Sequence, residues 1–270
     1  MRTKEKYILY KPKKFFGQNF LVDDNISRKI IKQLDIKETD TVLEIGPGQG
    51  ALTKHLAGFC GKYYAVEIDK NISESLKEKY GDKCEIINED FLKFDLRKFI
   101  EPIKIIGNLP YNIASEILFR LFDSRNILEC AVLMVQKEFA RRLIALPNTK
   151  DYGILAVQTQ VFSNPKIIFN VPPTVFFPKP KVESSVIKLT FSDTTYNLAD
   201  VDIFKKFVRA SFGKRRKTLK NSLKDLFEEL KLDNSEFESH FDFNRRAENI
   251  SIPEYVGMSN LIYSKVSNNA

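Results

Sequence analysis

Short runs of apolar, often β-branched residues alternate with amphipathic stretches through the first half of the chain. This pattern is typical of buried parallel strands joined by helices, and it favours an α/β sheet with helices on both faces. The predicted strands cover residues 41–45, 63–69, 85–88, 103–106 and 131–135. The predicted helices between them cover about 51–57, 71–80 and 114–122. Ligands of such sheets bind beyond the carboxyl ends of the strands.

The second half of the chain continues the sheet and then changes character. Helices are predicted near 136–144 and 152–162, followed by strands at 166–171 and 185–190. Beyond residue 200 apolar residues recur only at helical spacing. The helices predicted there are about 201–212, 216–230, 236–240 and 253–263.

A polar stretch at residues 193–200 separates these two patterns. Apolar residues do not recur in it at the spacing of a helix or a strand, so we interpret it as a linker between domains. The sequence therefore predicts an α/β domain at residues 1–192 and a small all-helical domain at residues 200–270.

A glycine-rich turn, Gly46-Pro-Gly-Gln-Gly50, follows the first predicted strand. Glycines let a backbone approach a ligand closely, and the next helix begins with N–H donors. The spacing differs from the GxGxxG of dinucleotide sites, and a phosphate-binding lysine is missing. Glu44 lies just before the turn, where its carboxylate suits a ligand that carries an ammonium group. An ordinary tight turn is the alternative.

Acidic residues also end the second and third predicted strands. An acid about 20 residues after a glycine turn typically binds ribose hydroxyls, and Glu67 has this position. Asp90 is placed to accept from an adenine amino group, with Phe91 beside the ring. Together with the turn, these residues predict a site for S-adenosylmethionine. Solvated strand ends are the alternative for both acids.

Composition narrows the class of protein. The 270 residues are 43% hydrophobic and 29% charged, as in a soluble globular protein. We expect a cytoplasmic location, because neither an apolar run long enough to span a membrane nor the apolar centre of a signal peptide is present. The three cysteines are far apart, and neither His55 nor His240 has a metal-ligand neighbour. We therefore predict no metal site.

The net charge of +8 is concentrated in two blocks. Six basic residues lie between Arg2 and Lys14, with Glu5 as the one acid, and nine lie between Lys205 and Lys224 without any acid. Such blocks indicate a polyanionic partner, most simply a nucleic acid. The alternative is that each block is a solvated face.

The motif Asn108-Leu-Pro-Tyr111 follows the fourth predicted strand. The amine of adenine is a poor nucleophile, because its lone pair is delocalised into the ring. The side-chain carbonyl of Asn108 and the backbone carbonyl of Leu109, which Pro110 holds extended, could orient this amine. The ring of Tyr111 offers a face for stacking. A proline turn with a core tyrosine is the alternative.

These motifs together resemble the ribosomal RNA adenine dimethyltransferase family, in particular its bacterial small-subunit members. The resemblance covers nearly the whole chain. It is carried by Gly17-Gln-Asn-Phe-Leu21, Glu44–Gly50, Val66–Asp69, Asn108–Tyr111, Val171–Pro173, Phe176, Pro178–Val182 and Arg215–Leu223. It implies a Rossmann-like methyltransferase domain with a mostly parallel seven-stranded sheet, followed by a helical RNA-binding domain.

The resemblance also implies roles for particular residues. The expected S-adenosylmethionine site consists of Asn19, Leu21, Glu44, Gly46, Gly48, Glu67, Ile68, Asp90, Phe91 and Asn108. Asn108, Leu109, Pro110 and Tyr111 would hold the target adenine. Phe176 would stack on its other face, unless it belongs to the core. Phe177 departs from the family pattern, in which a small or polar residue is expected there.

The expected partner is 16S rRNA within the small (30S) subunit or its precursor, bound by a monomer. Lys214, Arg215, Arg216 and Lys217 would contact its phosphates. The implied reaction is dimethylation of two adjacent adenosines in the 3′-terminal hairpin loop. The alternatives are a 23S rRNA adenine methyltransferase of the macrolide-resistance type, and a mainly non-catalytic assembly factor of the small subunit.

Overall fold

The computed structural model describes residues 18–191, 196–214, 216–237 and 239–268. The basic arm that precedes residue 18, Arg215 and part of the predicted linker lie outside these ranges. Contacts divide the chain into two compact units. Among the described residues, the first contains 18–140 together with 166–191, and the second contains 141–165 together with those from 196 onward.

The first unit is built on a twisted sheet. Its strands are β2 (Thr41–Ile45), β3 (Lys62–Glu67), β4 (Glu85–Asn88), β5 (Ile103–Asn108), β6 (Leu128–Gln136), β7 (Asn164–Val171) and β9 (Ser184–Thr190). Their order is β4-β3-β2-β5-β6-β9-β7. The pairs from β4 to β6 are parallel, and β9 runs antiparallel to β6. The predicted sheet is confirmed, and the strand order puts β2 and β5 at its centre.

Burial on both faces explains the apolar runs of the central strands. Val42, Leu43, Ile105, Val132 and Leu133 are fully buried. Side chains of a strand alternate between the two faces, so a strand covered on both sides is mostly apolar. The polar residues of the site consequently gather where the strands end.

Four of the five helices described in the first unit lie close to the positions predicted above. The five are α1 (Asp24–Lys32), α2 (Thr53–Leu56), α3 (Lys70–Tyr80), α4 (Ala114–Asp123) and α5 (Lys137–Leu143), whose last residues belong to the second unit. The helix predicted at 51–57 is shorter than expected, because the glycine turn continues through residue 52. Asp69 caps α3 by accepting from the Asn71 N–H at 3.1 Å.

A two-stranded antiparallel sheet joins distant parts of the first unit. It consists of β1 (Phe20–Leu21) and β8 (Phe176–Phe177). Phe20 pairs with Phe177 and Leu21 pairs with Phe176. The N–H of Val22 extends the pairing by donating to the carbonyl of Val175 at 2.9 Å. This pairing holds the segment that begins at Gln18 against the sheet.

The second unit consists of helices. They are α6 (Ile154–Phe162), α7 (Val201–Gly213), α8 (Leu219–Ser222), α9 (Lys224–Leu230) and α10 (Ile252–Asn268). The single helix predicted at 216–230 is wrong: α8 and α9 are separate, since Leu223 interrupts the helix. A 3₁₀ turn at Asn234–Glu236 meets the first residue of the helix predicted at 236–240, a stretch of which residue 238 lies outside the described residues. Throughout the described ranges, every helix is too short or too polar to cross a membrane.

Aromatic contacts form the core of the second unit. Phe162 of α6 packs edge-on against Phe204 of α7, with ring centroids 5.6 Å apart. The hydroxyl of Tyr152 donates to the carbonyl of Ile250 at 2.9 Å, and that of Tyr255 donates to the carbonyl of Ala247. Residues 141–165 were predicted in the first domain, but these contacts place them with the C-terminal helices.

The Phe162–Phe204 pair gives a test of this placement. We expect Phe204→Ala and Phe162→Ala each to lower the free energy of unfolding by about 3–5 kcal/mol, because each ring is buried. The double variant should lose less than the sum, since the shared contact is removed twice. Chemical denaturation measures these values. Phe59→Ala is the control, because that ring is 58% exposed. Additive losses would contradict the pairing.

Candidate active site

An open cleft lies at the carboxyl ends of the parallel strands of the first unit. The space between its walls, including the part that is open to solvent, is about 980 Å³. Its walls are formed by residues 18–21, 44–49, 51–52, 66–68, 89–91, 108–111, 113 and 117. The cleft thus brings together all the residues that the sequence analysis assigned to the cofactor and the Asn108–Tyr111 motif.

The glycine turn forms the floor of the cleft at the end of β2. Gly46 and Gly48 have φ angles of +62° and +55°, which side chains rarely adopt. A Cβ atom on Gly48 would lie 3.0 Å from the ring of Phe20. Glycine is therefore needed at this position both for its backbone angle and for close packing against β1.

The N–H groups of the three glycines in this turn have partners within the protein. Gly46 donates to the carbonyl of Val66 and Gly50 to that of Pro47, both at 2.9 Å. Gly48 donates to the carboxylate of Glu67 at 3.0 Å. The turn is therefore not the cradle of N–H groups that binds a phosphate.

Glu67 connects the glycine turn to the end of β3. One oxygen of its carboxylate accepts from Gly48, and the other accepts from the N–H of Asp69 at 2.9 Å. Its side chain is buried, and this burial raises the pKa of Glu67, although the two N–H bonds oppose the shift. The carboxylate is thus fixed in the wall of the cleft, and its contact with ribose hydroxyls stays a prediction.

Asp90 and Phe91 follow β4 at the same edge. Asp90 is half-buried, and one of its oxygens accepts from the N–H of Leu92 at 3.0 Å. Phe91 is buried and stacks on Phe94, with centroids 6.4 Å apart. Ile68, by contrast, is half-exposed in the wall between Glu67 and this loop. An acceptor beside apolar surfaces fits an adenine ring.

Glu44 lies deeper than the sequence suggested. One of its oxygens accepts from the hydroxyl groups of Thr53, at 2.7 Å, and of Tyr63. Burial raises the pKa of Glu44 to about 7, despite both hydrogen bonds. Its negative charge at neutral pH is therefore incomplete. Glu44 lines the cleft, but its predicted contact with an ammonium group stays a prediction.

The Asn108–Tyr111 motif forms the opposite side of the cleft, after β5. The amide nitrogen of Asn108 donates to the carbonyl of Asn19 at 2.9 Å, so the side-chain oxygen is the end left to accept from a ligand. The N–H of Leu109 donates to the carbonyl of Met134 at 3.0 Å. Tyr111 is half-buried, and its hydroxyl bonds to that of Ser184 at 2.9 Å.

Phe176 does not reach the cleft. Phe176 is 4% exposed and belongs to the same core cluster as Leu21 and Val171. Its burial agrees with the core alternative, and stacking on an adenine stays a prediction. The next ring, Phe177, is 49% exposed, since adjacent side chains of a strand point to opposite faces.

The predicted phosphate contacts belong to the second unit. Lys214, Arg216 and Lys217 are exposed between α7 and α8, whereas Arg215 lies outside the described residues. Lys214 forms an ion pair with Asp225 at 2.9 Å. Arg216 and Lys217 therefore remain the better candidates for RNA contact. In the described ranges, His, Cys, Asp and Glu side chains form no group of three that could hold a metal ion.

Several residues of the site were missed by the sequence analysis. Phe20 packs against Gly48, Tyr63 and Thr53 engage Glu44, and Ser184 bonds to Tyr111. In each case the contact partner lies on another element of the fold. A local sequence motif therefore cannot indicate these contacts.

The model of one protein family matches residues 10–264, and it is described as ribosomal RNA adenine dimethylase. The chain belongs to this family. As a member, it is an S-adenosylmethionine-dependent rRNA adenine dimethyltransferase, which confirms the predicted enzyme class and cofactor. The glycine turn, Glu67 and Asp90 of this family member are the residues that fit that cofactor.

Curated relatives of this dimethylase support the assignment. A protein from Francisella tularensis subsp. novicida (strain U112), named ribosomal RNA small subunit methyltransferase A, is 42% identical over 259 residues. The match covers 93% of this chain and 98% of the relative. A relative of the same name from Alkaliphilus oremlandii (strain OhILAs) is also 42% identical, over 98% and 97% of the two chains.

Solved structures share the fold of this dimethylase. A dimethyladenosine transferase from Plasmodium falciparum has a TM-score of 0.75 at 27% identity, over 92% of this chain and 98% of that one. The 23S rRNA methyltransferase ErmE has a TM-score of 0.64 at 24% identity, over 92% and 100%. The predicted Rossmann-like fold with a C-terminal helical region is confirmed.

The buried carboxyl of Glu44 gives a prediction about pH. Its pKa is raised from 4.5 to about 7 on folding, so between these values only the folded state holds the proton. The free energy of unfolding therefore falls as the pH rises through this window, by up to about 3 kcal/mol, and levels off above it. Glu44→Gln should remove this dependence, because the amide cannot ionise.

Denaturant unfolding at about pH 5 and about pH 8 measures the effect of Glu44→Gln. Relative to the wild type, the variant should gain stability at the higher pH. Glu116→Gln is the control, because Glu116 is exposed on α4. A variant that keeps the pH dependence of the wild type would contradict the assignment to Glu44.

Proposed function

We propose that this dimethylase transfers methyl groups to the N6-amines of two adjacent adenosines in the 3′-terminal hairpin loop of 16S rRNA. The substrate is the RNA within the small (30S) subunit or its precursor, and the enzyme acts as a monomer in the cytoplasm. The observation that carries the choice of RNA is the 42% identity, over nearly the full length, to relatives named small subunit methyltransferase A.

The geometry of Asn108 suits the orientation of an adenine amine. Because its amide nitrogen donates to Asn19, its oxygen accepts from one amine hydrogen. The carbonyl of Leu109 accepts from the other. Two acceptors aimed at these hydrogens draw the amine towards a pyramidal shape, which frees its lone pair for attack. Positioning is then the main catalytic contribution.

Tyr111 supplies the surface on which the base stacks. Stacking of a base on an aromatic ring contributes about 1–3 kcal/mol. The reaction needs no strong general base on the protein, since the nitrogen can lose its proton to water after it has gained the methyl group. S-adenosylmethionine, held by the glycine turn, Glu67 and Asp90, supplies an electrophilic methyl group when it is bound.

The target adenosines must leave their stack to enter the cleft. Enzymes that act on a base extrude it, and unpaired loops make this least costly. We assign RNA affinity to the helical unit, whose basic loop between α7 and α8 contains Arg216 and Lys217. These contacts set affinity and salt dependence, whereas the cleft selects the base.

Two alternatives remain for the experiment to separate. The likeness to ErmE, at 24% identity, concerns the fold alone and does not favour a 23S substrate. The basic run from Gly213 to Leu219 fits the small-subunit branch better. A mainly non-catalytic assembly factor is disfavoured, because the Asn108–Tyr111 motif and the cofactor residues are intact.

Methyl transfer to isolated ribosomal subunits tests the proposal. We expect labelled methyl groups from S-adenosylmethionine to enter unmethylated small subunits, with dimethyladenosine at the 3′ end of the RNA. Mass analysis of nucleosides identifies the product. Label in the large subunit alone would move the assignment to the 23S enzyme. Sedimentation of the purified protein would test whether it is a monomer.

Tyr111→Ala is the matched variant for this assay. It should abolish most transfer while small-subunit binding persists, because the phosphate contacts lie in the other domain. Absence of transfer by the wild type, with subunit binding intact, would favour the assembly factor.

Removing charge from the basic loop should change the salt dependence of RNA binding. Arg216 and Lys217 are exposed, so each can meet one phosphate. We expect the double alanine variant to reduce the slope of log K against log salt by about 2, with the methylated position unchanged. Fluorescence titration of RNA at several salt concentrations measures this slope. Lys77→Ala with Lys79→Ala on α3 is the control, and an equal loss of slope there would contradict the assignment.

A further inference from the structure

The hydroxyl of Tyr111 has a buried hydrogen-bond partner to which the proposed mechanism gives no role. Ser184 is 0% exposed, and its Oγ lies 2.9 Å from the Tyr111 hydroxyl. Ser184 is the first residue of β9 and pairs with Gln136, the last residue of β6. The base-stacking tyrosine is thus tied to the sheet at the edge of the cleft.

This hydrogen bond restricts how the ring of Tyr111 is presented. The hydroxyl lies on the long axis of the side chain, so holding it fixes the direction in which the ring points. A phenolic O–H prefers the plane of its ring, so a partner at a fixed place also favours one ring plane. A single bond therefore limits both the position and the tilt of the face offered to a base.

Ser184 itself is held in place by its neighbours. The N–H of Lys137 donates to the carbonyl of Glu183 at 3.0 Å, and the two side chains form an ion pair. These contacts close the junction between β6 and β9 immediately before Ser184. The anchor of the tyrosine is therefore part of a rigid element, which is what precise positioning requires.

We propose that Ser184 is a positioning residue that holds the ring of Tyr111 in the orientation for stacking on the target adenine. The proposal rests on the proposed function, because it gives Tyr111 its role. Ser184 acts only through Tyr111 and contacts neither the base nor the cofactor. Its contribution is to the geometry of the reacting complex, so it affects turnover more than RNA affinity.

The adjacent serine provides a comparison within the same strand. Ser185 is also 0% exposed, and its hydroxyl donates to the side-chain oxygen of Asn170 at 2.8 Å. It projects from the opposite face of β9, away from Tyr111. Replacing either serine by alanine removes one buried hydroxyl and one hydrogen bond, but only Ser184 is tied to the motif.

A double-mutant cycle in the methyl-transfer assay tests the proposal. We expect Ser184→Ala and Tyr111→Phe each to lower kcat about three- to tenfold, which is the range for the loss of one hydrogen bond. The KM for the RNA should stay within about twofold, because phosphate contacts dominate affinity. The double variant should be no slower than the slower single variant, since both remove the same bond.

Ser185→Ala controls for loss of a buried serine. It should keep the kcat of the wild type, whatever its effect on the melting temperature. The proposal would be overturned if the losses of kcat in the two single variants multiplied in the double variant. An equal fall of kcat in Ser185→Ala would also overturn it. So would an unchanged kcat in Ser184→Ala. These results differ from failure of the proposed function, in which the wild type itself would not methylate adenosine in the small subunit.

Discussion

The carboxylate of Glu67 joins the loops from which the cleft is built. It accepts N–H groups from Gly48 and from Asp69, while the carbonyl of the same residue accepts from the side chain of Asn88 at 2.8 Å. One residue thus links the ends of β2, β3 and β4. Because these bonds lie within the protein, the walls of the cleft have their shape before any ligand binds.

The ends of parallel strands explain why so much of the site could be predicted from the sequence. Buried strands are continuous apolar runs, and polar residues can follow them only where the sheet edge meets solvent. Gly46, Glu67, Asp90 and Asn108 each lie at the end of such a run or within two residues of it. Their distances apart in the chain do not matter, since the sheet collects all four at one edge.

What the sequence could not predict depends on contacts between distant segments. Phe176 is buried because β8 pairs with β1, more than a hundred residues earlier, and no local pattern indicates that pairing. Nothing in the local sequence distinguishes Ser184 from other serines of strands, because its position depends on the pairing of β9 with β6. Residues 141–165 have the helical pattern expected of either unit, so only Phe162 and Tyr152, through their packing, reveal where they belong.

The helical unit is assembled from two separate stretches of chain, and this limits how it can be treated as a module. A fragment that began after the linker would lack α6, leaving Phe204 and Phe212 without the rings of Phe162 and Tyr152. Such a fragment would expose an aromatic face to water and tend to aggregate. A chimera that exchanges this unit between relatives therefore has to replace two segments, residues 141–165 and the C-terminal region, at the same time.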